Sequence, residues 1–550
     1  MNTIQSVRFP DLRQVDEGIS ALFCDYIENY SHIARFYAGD YKSPESFLKL
    51  AEQRRRSYPF RELIADVLLD QNRAFGCGSA ATDNIELLRD DRTVAVVTGQ
   101  QVGLAGGPLY TFYKTITAVH LAKVLGEQHP SYRFVPVFWL ECEDHDFEEM
   151  NHFSILAPDG TPRTIEYLHQ GKTGPRNLGS VGPITFDANI ARVHEALAAD
   201  LQNSEFKDRL LARFRSAYAE GTSFTTAFVR FLGGFFADDG LIFINPLDVR
   251  LKKILGPIFL REVEEYPRVS QLIIQQSAEL EEKYHAQIKT KAMNIFLADE
   301  GGRFALEPRE TDFTLRGTRR HVGREDLQAI IESTPERISP NVALRPICQD
   351  ILLPSVAYVG GPSEIAYFAQ LKGVYEYFQC PMPVIYPRAS ATLVEERQLQ
   401  ILDKYHLDLT SVFTHGGDLR KRVVDMLSEV NIDEMFSGAQ GRLGDLLGEI
   451  GFGLTAIDPT LSGPMDGTRE KITAALGLLR QKAGEAQQRK HEVALRQIDK
   501  VLNALLPHDS FQERGLNILH YLNRFGDGIT GTIRQNLRID RFEHQIIPLS

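Results

Sequence analysis

The chain has 550 residues, of which 43% are hydrophobic and 24% are charged. These fractions exclude a wholly disordered chain, a collagen and a small disulfide-stapled scaffold, and the length allows three or four domains. Lysine and arginine number 61 against 73 aspartates and glutamates, which gives a net charge of −12. This charge disfavours duplex DNA and anionic membranes as partners.

The cysteines and the N-terminus indicate a cellular location. Five cysteines are scattered along the chain without a CxxC pair or a spacing typical of zinc sites. The first residues lack the apolar segment of a signal peptide, and no stretch approaches the ~18 apolar residues of a membrane span. We therefore expect reduced thiols and a cytoplasmic protein.

The first 150 residues predict helices followed by a βαβ unit. Helical spacing dominates residues 1–90. Residues 94–97 form an apolar run that ends in a polar, glycine-rich turn, a helix is predicted over 108–125, and 134–140 is a second apolar run. This order predicts a parallel sheet with a right-handed crossover.

A less regular block follows, and the sheet pattern then returns. The block predicts a strand at 241–245, helices at 248–266 and 269–288, and a hairpin of strands at 294–298 and 303–306. We expect it to be inserted between the halves of the parallel sheet. The returning pattern predicts strands around 358–359 and 383–386, with a helix ending near 378 between them.

The C-terminal half predicts long helices. Residues 469–506 form the longest candidate, with a heptad-like apolar stripe that slips in phase between Ala486 and Ala494. One amphipathic helix on its own core and a projecting coiled coil that dimerises both remain open.

Polar residues cluster at the carboxyl ends of three predicted strands, where ligands of open α/β sheets bind. The clusters are Thr98 with Gln100 and Gln101, the segment 141–146, and Arg388 with Ser390. Their shared position, rather than any single cluster, indicates a site.

Two glycine turns precede predicted helices. Gly106 and Gly107 form the first, and Gly360 and Gly361 the second. Free amides and the helix dipole at such turns favour an anion, whereas the structural alternative is a tight turn that needs positive φ. Neither turn has the spacing of a Walker A loop or of GxGxxG. Lys114, two turns into the first helix, could add a cation.

The segment ECEDHDFEEMNH, residues 141–152, is rich in carboxylates. It could bind Mg²⁺, supply a general base with an orienting acid, or capture an ammonium or sugar hydroxyls. It fits no standard zinc motif, and an acidic helix start is the structural alternative. Charge directly after a buried strand favours a site. The catalytic candidates are Asp144, His145 and Asp146, and the binding candidates are Glu141, Glu143, Asn151 and His152.

A further polar set lies in an apolar context at residues 345–350, with Arg345, Gln349 and Asp350. Arg345 or Arg388 could hold a carboxylate or phosphate through two hydrogen bonds, and an ion pair that braces the sheet is the alternative. Glu364, after the second glycine turn, is another binding candidate.

Four long segments, in this order, resemble the bacillithiol-biosynthesis cysteine-adding enzymes, the BshC family. They are VVTGQQVGLAGGPLYTFYKT, VPVFWLECEDHDFEEMNH, NVALRPICQDILLPSVAYVGGPSEIAYFAQL and VIYPRASATLVE. The later segment QERGLNILHYLNRFG is similar as well, so the match runs from about residue 96 to near the C-terminus.

The resemblance implies an α/β fold with a Rossmann-like parallel-sheet core and connecting-peptide insertions, similar in layout to class I aminoacyl-tRNA synthetases. It also implies a helical coiled-coil domain that supports a homodimer. We expect the first half of the core by residue 150, insertions and further strands at 151–340, the second half of the core at 341–395, the coiled coil at 396–510, and a segment returning to the core at 511–550.

The implied reaction is the last step of bacillithiol synthesis, a ligation of cysteine to the glucosamine amine of glucosaminyl-malate. Activation of the cysteine carboxylate implies ATP with Mg²⁺, although the chain has no HxGH or KMSKS motif and no visible ATP site. The amine proton would pass to His145 or to a carboxylate of Asp144 or Asp146.

The same residues suit the two halves of this substrate. The malate carboxylates suit Arg345, Arg388, Lys114 and the glycine-turn amides. The sugar suits the acidic segment together with Gln100, Gln101 and Asn151.

Two other functions remain open. One is a nucleotidyl or acyl transferase on the same fold with another amine or carboxylate substrate. The other is a non-catalytic dimeric scaffold or ligand sensor, which would have no reason to concentrate charge at three strand ends.

Overall fold

The computed structural model describes residues 5–173, 177–300, 302–415 and 418–549. The chain divides into two compact units. The first consists of the residues up to Leu393 together with Leu506–Leu549, and the second of Val394–Leu505. Within the described ranges, no helix has the length and apolar character needed to cross a membrane.

The first unit mixes strands and helices, and the second is helical. The strands are β1 (Gln5–Val7), β2 (Thr93–Gln101), β3 (Arg133–Glu141), β4 (His152–Leu156), β5 (Pro162–Glu166), β6 (Ile242–Ile244), β7 (Ile295–Asp299), β8 (Gly302–Pro308), β9 (Asp312–Leu315), β10 (His321–Gly323), β11 (Ile338–Pro340), β12 (Ser355–Gly360), β13 (Val384–Pro387), β14 (Ser390–Glu395) and β15 (His544–Leu549). The helices are α1 (Ala21–Glu28), α2 (Pro44–Ser57), α3 (Arg61–Phe75), α4 (Ser79–Leu87), α5 (Leu109–Gln128), α6 (Phe147–Met150), α7 (Ile190–Asp200), α8 (Lys207–Ala217), α9 (Phe224–Gly233), α10 (Val249–Glu265), α11 (Arg268–Glu281), α12 (Arg324–Ser333), α13 (Arg345–Leu352), α14 (Pro362–Phe368), α15 (Lys372–Tyr377), α16 (Glu396–Lys404), α17 (Leu409–His415), α18 (Leu419–Leu427), α19 (Ile432–Ile457), α20 (Ser462–Lys490), α21 (Glu492–Leu505), α22 (Gln512–Gly515), α23 (Ile518–Phe525) and α24 (Gly528–Asn536).

A five-stranded parallel sheet organises the first unit. Its order is β13-β12-β2-β3-β6, and each neighbouring pair is parallel. Helix α5 connects β2 to β3 and packs on both, which confirms the predicted βαβ unit. The strands are almost continuously buried because helices cover them: α2 packs on β2 and β12, and α3 packs on β6. The predicted Rossmann-like α/β core is therefore confirmed.

Strand β2 is longer than its sequence predicts. A turn is predicted after residue 97, whereas β2 continues to Gln101 and pairs with β3 as far as Glu141. Gly99 permits this pairing, because a Cβ at that position would lie 3.0 Å from the carbonyl oxygen of Trp139. The polar side chains after residue 97 therefore stand on the strand itself.

A separate antiparallel sheet lies between β6 and β12 in the chain, with the order β10-β9-β8-β7-β11. Strands β7 and β8 pair with Leu297 opposite Phe304, which confirms the predicted hairpin. The hairpin lies between strands of the parallel sheet as predicted, but the strand predicted at 241–245 is β6, which belongs to the parallel sheet itself. Two helix predictions need correction: α11 ends at Glu281 rather than 288, and the helix after residue 361 is divided into α14 and α15.

The chain after Leu506 belongs to the first unit. Strand β15 pairs with β1 in a three-stranded sheet of order β1-β15-β14. The side-chain amide of Asn517 donates to the carbonyl oxygens of Ala105 at 3.0 Å and Gly107 at 2.6 Å. These bonds join the C-terminal segment to the glycine turn before α5.

Long helices build the second unit, in which α19 and α20 pack against each other. The sequence predicts one helix over 469–506, but α20 begins at Ser462 and ends before His491, where α21 follows. The backbone of His491 has φ −107° and ψ 20°. The break falls where the apolar stripe changes phase. A single straight helix could not direct both parts of the stripe toward the residues that each part packs against.

Burial of His544 makes the stability of the first unit depend on pH. Its Nδ1 lies 2.7 Å from the hydroxyl of Ser390 and its Nε2 lies 2.8 Å from that of Thr392. Burial lowers the pKa of His544 from 6.5 to about 4. Between these values the unfolded chain binds a proton that the folded chain excludes.

We expect the free energy of unfolding to fall as the pH is lowered from 6.5 to 4, with about 3 kcal/mol of the loss due to His544. The contribution is complete above pH 6.5, because His544 is then neutral in both states. Urea unfolding across this range should give a shallower pH dependence for His544→Gln than for the wild type. The control His285→Gln, at an exposed site, should keep the wild-type dependence. Equal slopes for all three proteins would contradict the assignment.

Candidate active site

A cavity of about 1020 Å³ lies at the carboxyl ends of β2, β3, β12 and β13. Its volume is at the top of the range of ligand pockets, about 300–1,000 Å³. The structure brings many of the predicted residues to its wall: Gln100, Gln101, Lys114, Glu141, Glu143, Asp144, His145, Arg345, Gly361, Glu364 and Arg388.

One side of the cavity is built around Lys114 and Glu364. The ammonium of Lys114 lies 2.6 Å from Glu364 Oε2 and donates to the carbonyl oxygen of Gly99 at 2.9 Å. Tyr358 donates its hydroxyl to Glu364 Oε1 at 2.6 Å. Burial lowers the pKa of Lys114, whereas burial of Glu364 is outweighed by Lys114, so that the pKa of Glu364 is lowered. The ion pair therefore favours the ionised form of Glu364, whereas burial opposes the charge of Lys114.

Glu141 and Arg345 form a second pair. Arg345 Nε lies 2.9 Å from Glu141 Oε1, and its other nitrogens donate to Gln349 Oε1 at 2.9 Å and to the hydroxyl of Tyr367 at 3.0 Å. Burial raises the pKa of Glu141 to about 7 in spite of Arg345, with nearby carboxylates adding to the effect. Arg345 is thus engaged by protein groups, as in the predicted alternative of an ion pair that braces the sheet.

Gln101 brings two carboxylates together. Its side-chain amide donates to Asp144 Oδ2 at 2.8 Å and to Glu149 Oε2 at 2.7 Å. Burial raises the pKa of Asp144, but its contacts with His145, Gln101 and Arg303 outweigh burial, and its pKa lies well below the usual range. Partial burial, with Asp144 and Asp146 nearby, raises the pKa of Glu149. Two neighbouring carboxylates therefore differ in proton affinity.

Arg388 is placed by the C-terminal segment. It donates through a terminal nitrogen to Glu513 Oε1 at 2.7 Å, and Glu513 Oε2 accepts from the hydroxyl of Ser390 at 3.0 Å. Arg388 Nε is buried and has no hydrogen-bond partner among the described residues. Because Arg388 also lines the cavity, its unpaired N–H makes it a candidate to bind an anionic ligand.

The inserted sheet supplies Arg303, which the sequence analysis missed. Its guanidinium lies 3.8 Å from the ring centre of Phe296 and donates to the hydroxyl of Ser339 at 2.7 Å. One terminal nitrogen lies 3.0 Å from His145 Nδ1. No local motif marks Arg303, because it acts only after β8 is folded beside the acidic segment.

Comparison with known proteins identifies the family. A model described as the bacillithiol biosynthesis BshC N-terminal Rossmann-like domain matches residues 7–389, and one described as the BshC C-terminal coiled-coil domain matches residues 391–549. The chain belongs to the BshC family. A relative from Salinibacter ruber is 39% identical over 96% of both chains, and one from Chloroherpeton thalassium is 34% identical over 99% of both. Both relatives are provisionally named cysteine ligase BshC.

Several predicted residues of this BshC-family chain do not line the main cavity. Thr98 donates its hydroxyl to the carbonyl of Val359, and Asn151 donates to Glu166 and to the carbonyl of Tyr167. Asp146 caps α6. The others are Gln349, Asp350, Gly360 and Ser390, which contact residues of the wall, Gly106, whose amide is bonded to Tyr218, and Gly107 and His152, which line a neighbouring cavity of about 440 Å³.

The first glycine turn does not offer free amides. The amide of Gly106 donates to the hydroxyl of Tyr218 at 3.0 Å, that of Gly107 to Leu104, and that of Leu109 to Leu516. The expectation of an anion site formed by these amides is therefore not supported. Positive φ at Gly106 and Gly107, 77° in both, supports the alternative of a tight turn.

The cavity wall also includes residues that the sequence analysis did not select. They are Tyr110, Glu149, Asn177, Lys289, Lys291, Met293, Ile295, Phe296, Arg303, Phe304, Ala305, Arg316, Pro340, Asn341, Val342, Tyr358, Pro362, Ser363, Tyr367 and Arg514. Many of them come from the inserted block, whose folding back onto the parallel sheet no local pattern reveals.

Breaking the buried pair of Lys114 and Glu364 should destabilise the protein. We expect Glu364→Gln to lower the free energy of unfolding by about 3 kcal/mol, because it leaves a buried ammonium without its partner. Lys114→Met combined with Glu364→Gln should recover most of this loss, because neither charge then remains. Urea unfolding of the single and double variants measures both effects. As a control, Glu28→Gln breaks an exposed pair with Arg8 and should cost less than about 1 kcal/mol; a loss for Glu364→Gln as small as this would refute the expectation.

Proposed function

We propose that this chain ligates cysteine to the glucosamine amine of glucosaminyl-malate, with ATP as the source of activation. The observation that carries the proposal is the cavity at the strand ends, where carboxylates and cations face one another in a member of the BshC family. Relatives named as cysteine ligases support the same reaction. All five cysteines are free, which agrees with a reaction carried out in the reducing cytoplasm.

Charge complementarity suggests where the substrate groups bind. Arg388 suits a malate carboxylate, because its Nε is buried and has no other partner in the described part of the chain. The sugar amine, as an ammonium, suits the carboxylates Glu141, Asp144 and Glu149 of the same cavity. Arg345, which the sequence also favours for malate, serves instead to hold Glu141.

The amine must lose a proton before it can attack a carbonyl carbon. Glu149 is the better acceptor of the two carboxylates on Gln101, because its pKa is raised whereas that of Asp144 is lowered. Asp144 stays ionised and attracts the ammonium. Asp146, the third carboxylate predicted for this step, caps α6 and does not line the cavity.

ATP would supply the activation that a cysteine carboxylate needs to become an electrophile. The cavity has room for a second ligand, and Lys289, Lys291 and Arg316 on its wall would hold the phosphates. No group of three or more His, Cys, Asp and Glu side chains in the described ranges could hold a metal ion. We therefore assign Mg²⁺ to no residue and derive no step from it.

The test is to mix the purified protein with cysteine and glucosaminyl-malate, with and without ATP and Mg²⁺. We expect mass spectrometry to detect the conjugated thiol only with ATP. Asp144→Asn and Glu149→Gln should each lower kcat by about 10²-fold or more, while thermal unfolding shows that both variants remain folded at the assay temperature. Exposed Glu148, on the same helix, gives the control Glu148→Gln, which should retain wild-type kcat. Absence of the conjugate from a folded wild-type protein that binds neither substrate would refute the function.

We also propose that the second unit pairs with a second copy of this chain. Helices α19 and α20 expose large apolar side chains at Leu446, Phe452, Ile457, Leu478 and Leu479, each at least 52% exposed. Several exposed large apolar side chains on two paired helices suit an interaction surface. The long, paired helices suit association with an identical hairpin.

Light scattering after size exclusion should give the mass of a dimer for the wild type. Leu478→Glu with Leu479→Glu should give a monomer, because charges would be buried at the interface. Ile274→Glu, at a 55% exposed position of the first unit, should stay dimeric. A monomeric wild type would refute the pairing.

A further inference from the structure

Arg303 occupies a position that restricts the chemistry of His145. The arginine is buried, and its backbone amide donates to Asn177 Oδ1 at 2.8 Å. Its guanidinium donates to Ser339 at 2.7 Å and to the carbonyl of Pro340 at 2.9 Å, and it stacks on Phe296. These contacts hold the guanidinium from several sides.

The remaining nitrogen, Nη1, lies 3.0 Å from Nδ1 of His145. A guanidinium has only N–H donors and no acceptor. A hydrogen bond at this distance therefore requires an unprotonated Nδ1, because a proton there would face the N–H of Arg303. The carboxylate of Asp144 does not compete for Nδ1, since Asp144 Oδ1 is 3.5 Å away and accepts instead from the backbone amide of His145 at 2.7 Å.

We propose that Arg303 is a positioning residue that holds His145 as the neutral tautomer with its proton on Nε2, so that His145 provides a hydrogen-bond donor rather than a base. The His145 side chain is 38% exposed and lines the cavity, and Nε2 has no hydrogen-bond partner among the described residues. The N–H of Nε2 is thus the polar group that this ring offers to a ligand. The proposal changes the role that the sequence favours for His145.

The role of this donor rests on the proposed ligation. When the amine nitrogen attacks the activated carbonyl carbon, a C–N bond forms and the π electrons move onto the carbonyl oxygen. The N–H of His145 donates to this oxygen, where negative charge develops. The carbonyl then re-forms, and the activating phosphate group leaves with the electrons of its C–O bond and takes the second nitrogen proton, because Glu149 has already taken the first one from the ammonium. A neutral imidazole backed by a guanidinium gives up none of its own protons in these steps.

The tautomer can be measured without any turnover. Long-range ¹H–¹⁵N correlation spectra of protein labelled at histidine distinguish a ring protonated at Nε2 from one protonated at Nδ1, and loss of a signal in His145→Gln assigns it. We expect the Nε2–H pattern in the wild type and a changed pattern in Arg303→Met. Arg320→Met is the matched control, because Arg320 stacks on Phe304 in the same sheet but does not line the cavity; it should leave the signal unchanged. A wild-type His145 with a proton on Nδ1 would overturn the proposal.

Measurements of kcat then distinguish a hydrogen-bond donor at His145 from a base at the same position. The side-chain amide of glutamine can place an N–H near the position of Nε2 but cannot accept a proton. We therefore expect His145→Gln to keep kcat within about tenfold of the wild type, whereas His145→Ala loses about 10²–10³-fold. Equal losses in the two variants would overturn the donor role. A wild type that forms no conjugate would refute the ligation itself, and the spectra would still decide the tautomer.

Discussion

Four buried cations, each held by a carboxylate, organise the carboxyl ends of the parallel strands. The pairs are Lys114 with Glu364, Lys252 with Glu143, Arg345 with Glu141, and Arg388 with Glu513. Removing a charge from water costs several kcal/mol unless a partner compensates it. Each cation is therefore stable in its buried position only when a carboxylate from another part of the chain lies beside it. The geometry of the cavity depends on these ion pairs.

The partners come from distant parts of the chain. Lys114 is on α5 and Glu364 on α14, while Glu513 returns from the C-terminal segment to reach Arg388. Such pairing joins the two halves of the parallel sheet and the segment that follows the helical unit. Within the part of the chain that the structure describes, it also leaves some groups without protein partners, among them Arg388 Nε. The electrostatic contacts that stabilise the wall thus also select which groups remain for a ligand.

Neighbouring groups of one type are given different properties by their surroundings. Asp144 and Glu149 share the amide of Gln101, yet contacts with His145, Gln101 and Arg303 lower the pKa of the first, and partial burial raises that of the second. The same Arg303 restricts the tautomer of His145. An inserted block with no recognisable motif therefore adjusts the chemistry of the acidic segment, through one buried guanidinium.

The sequence by itself determined the βαβ unit, the family and the cluster of charge at the strand ends, because hydrophobic periodicity and long motifs are local properties. It also indicated that the apolar stripe near residue 490 changes phase. Only the tertiary structure decided that β2 continues through Gln101, that the amides of the first glycine turn are occupied, and that Arg345 holds Glu141 rather than remaining free. It alone revealed Arg303 and Glu149 as part of the wall. These features depend on contacts between residues far apart in the chain. A local sequence pattern does not predict which hydrogen-bond donor pairs with which acceptor.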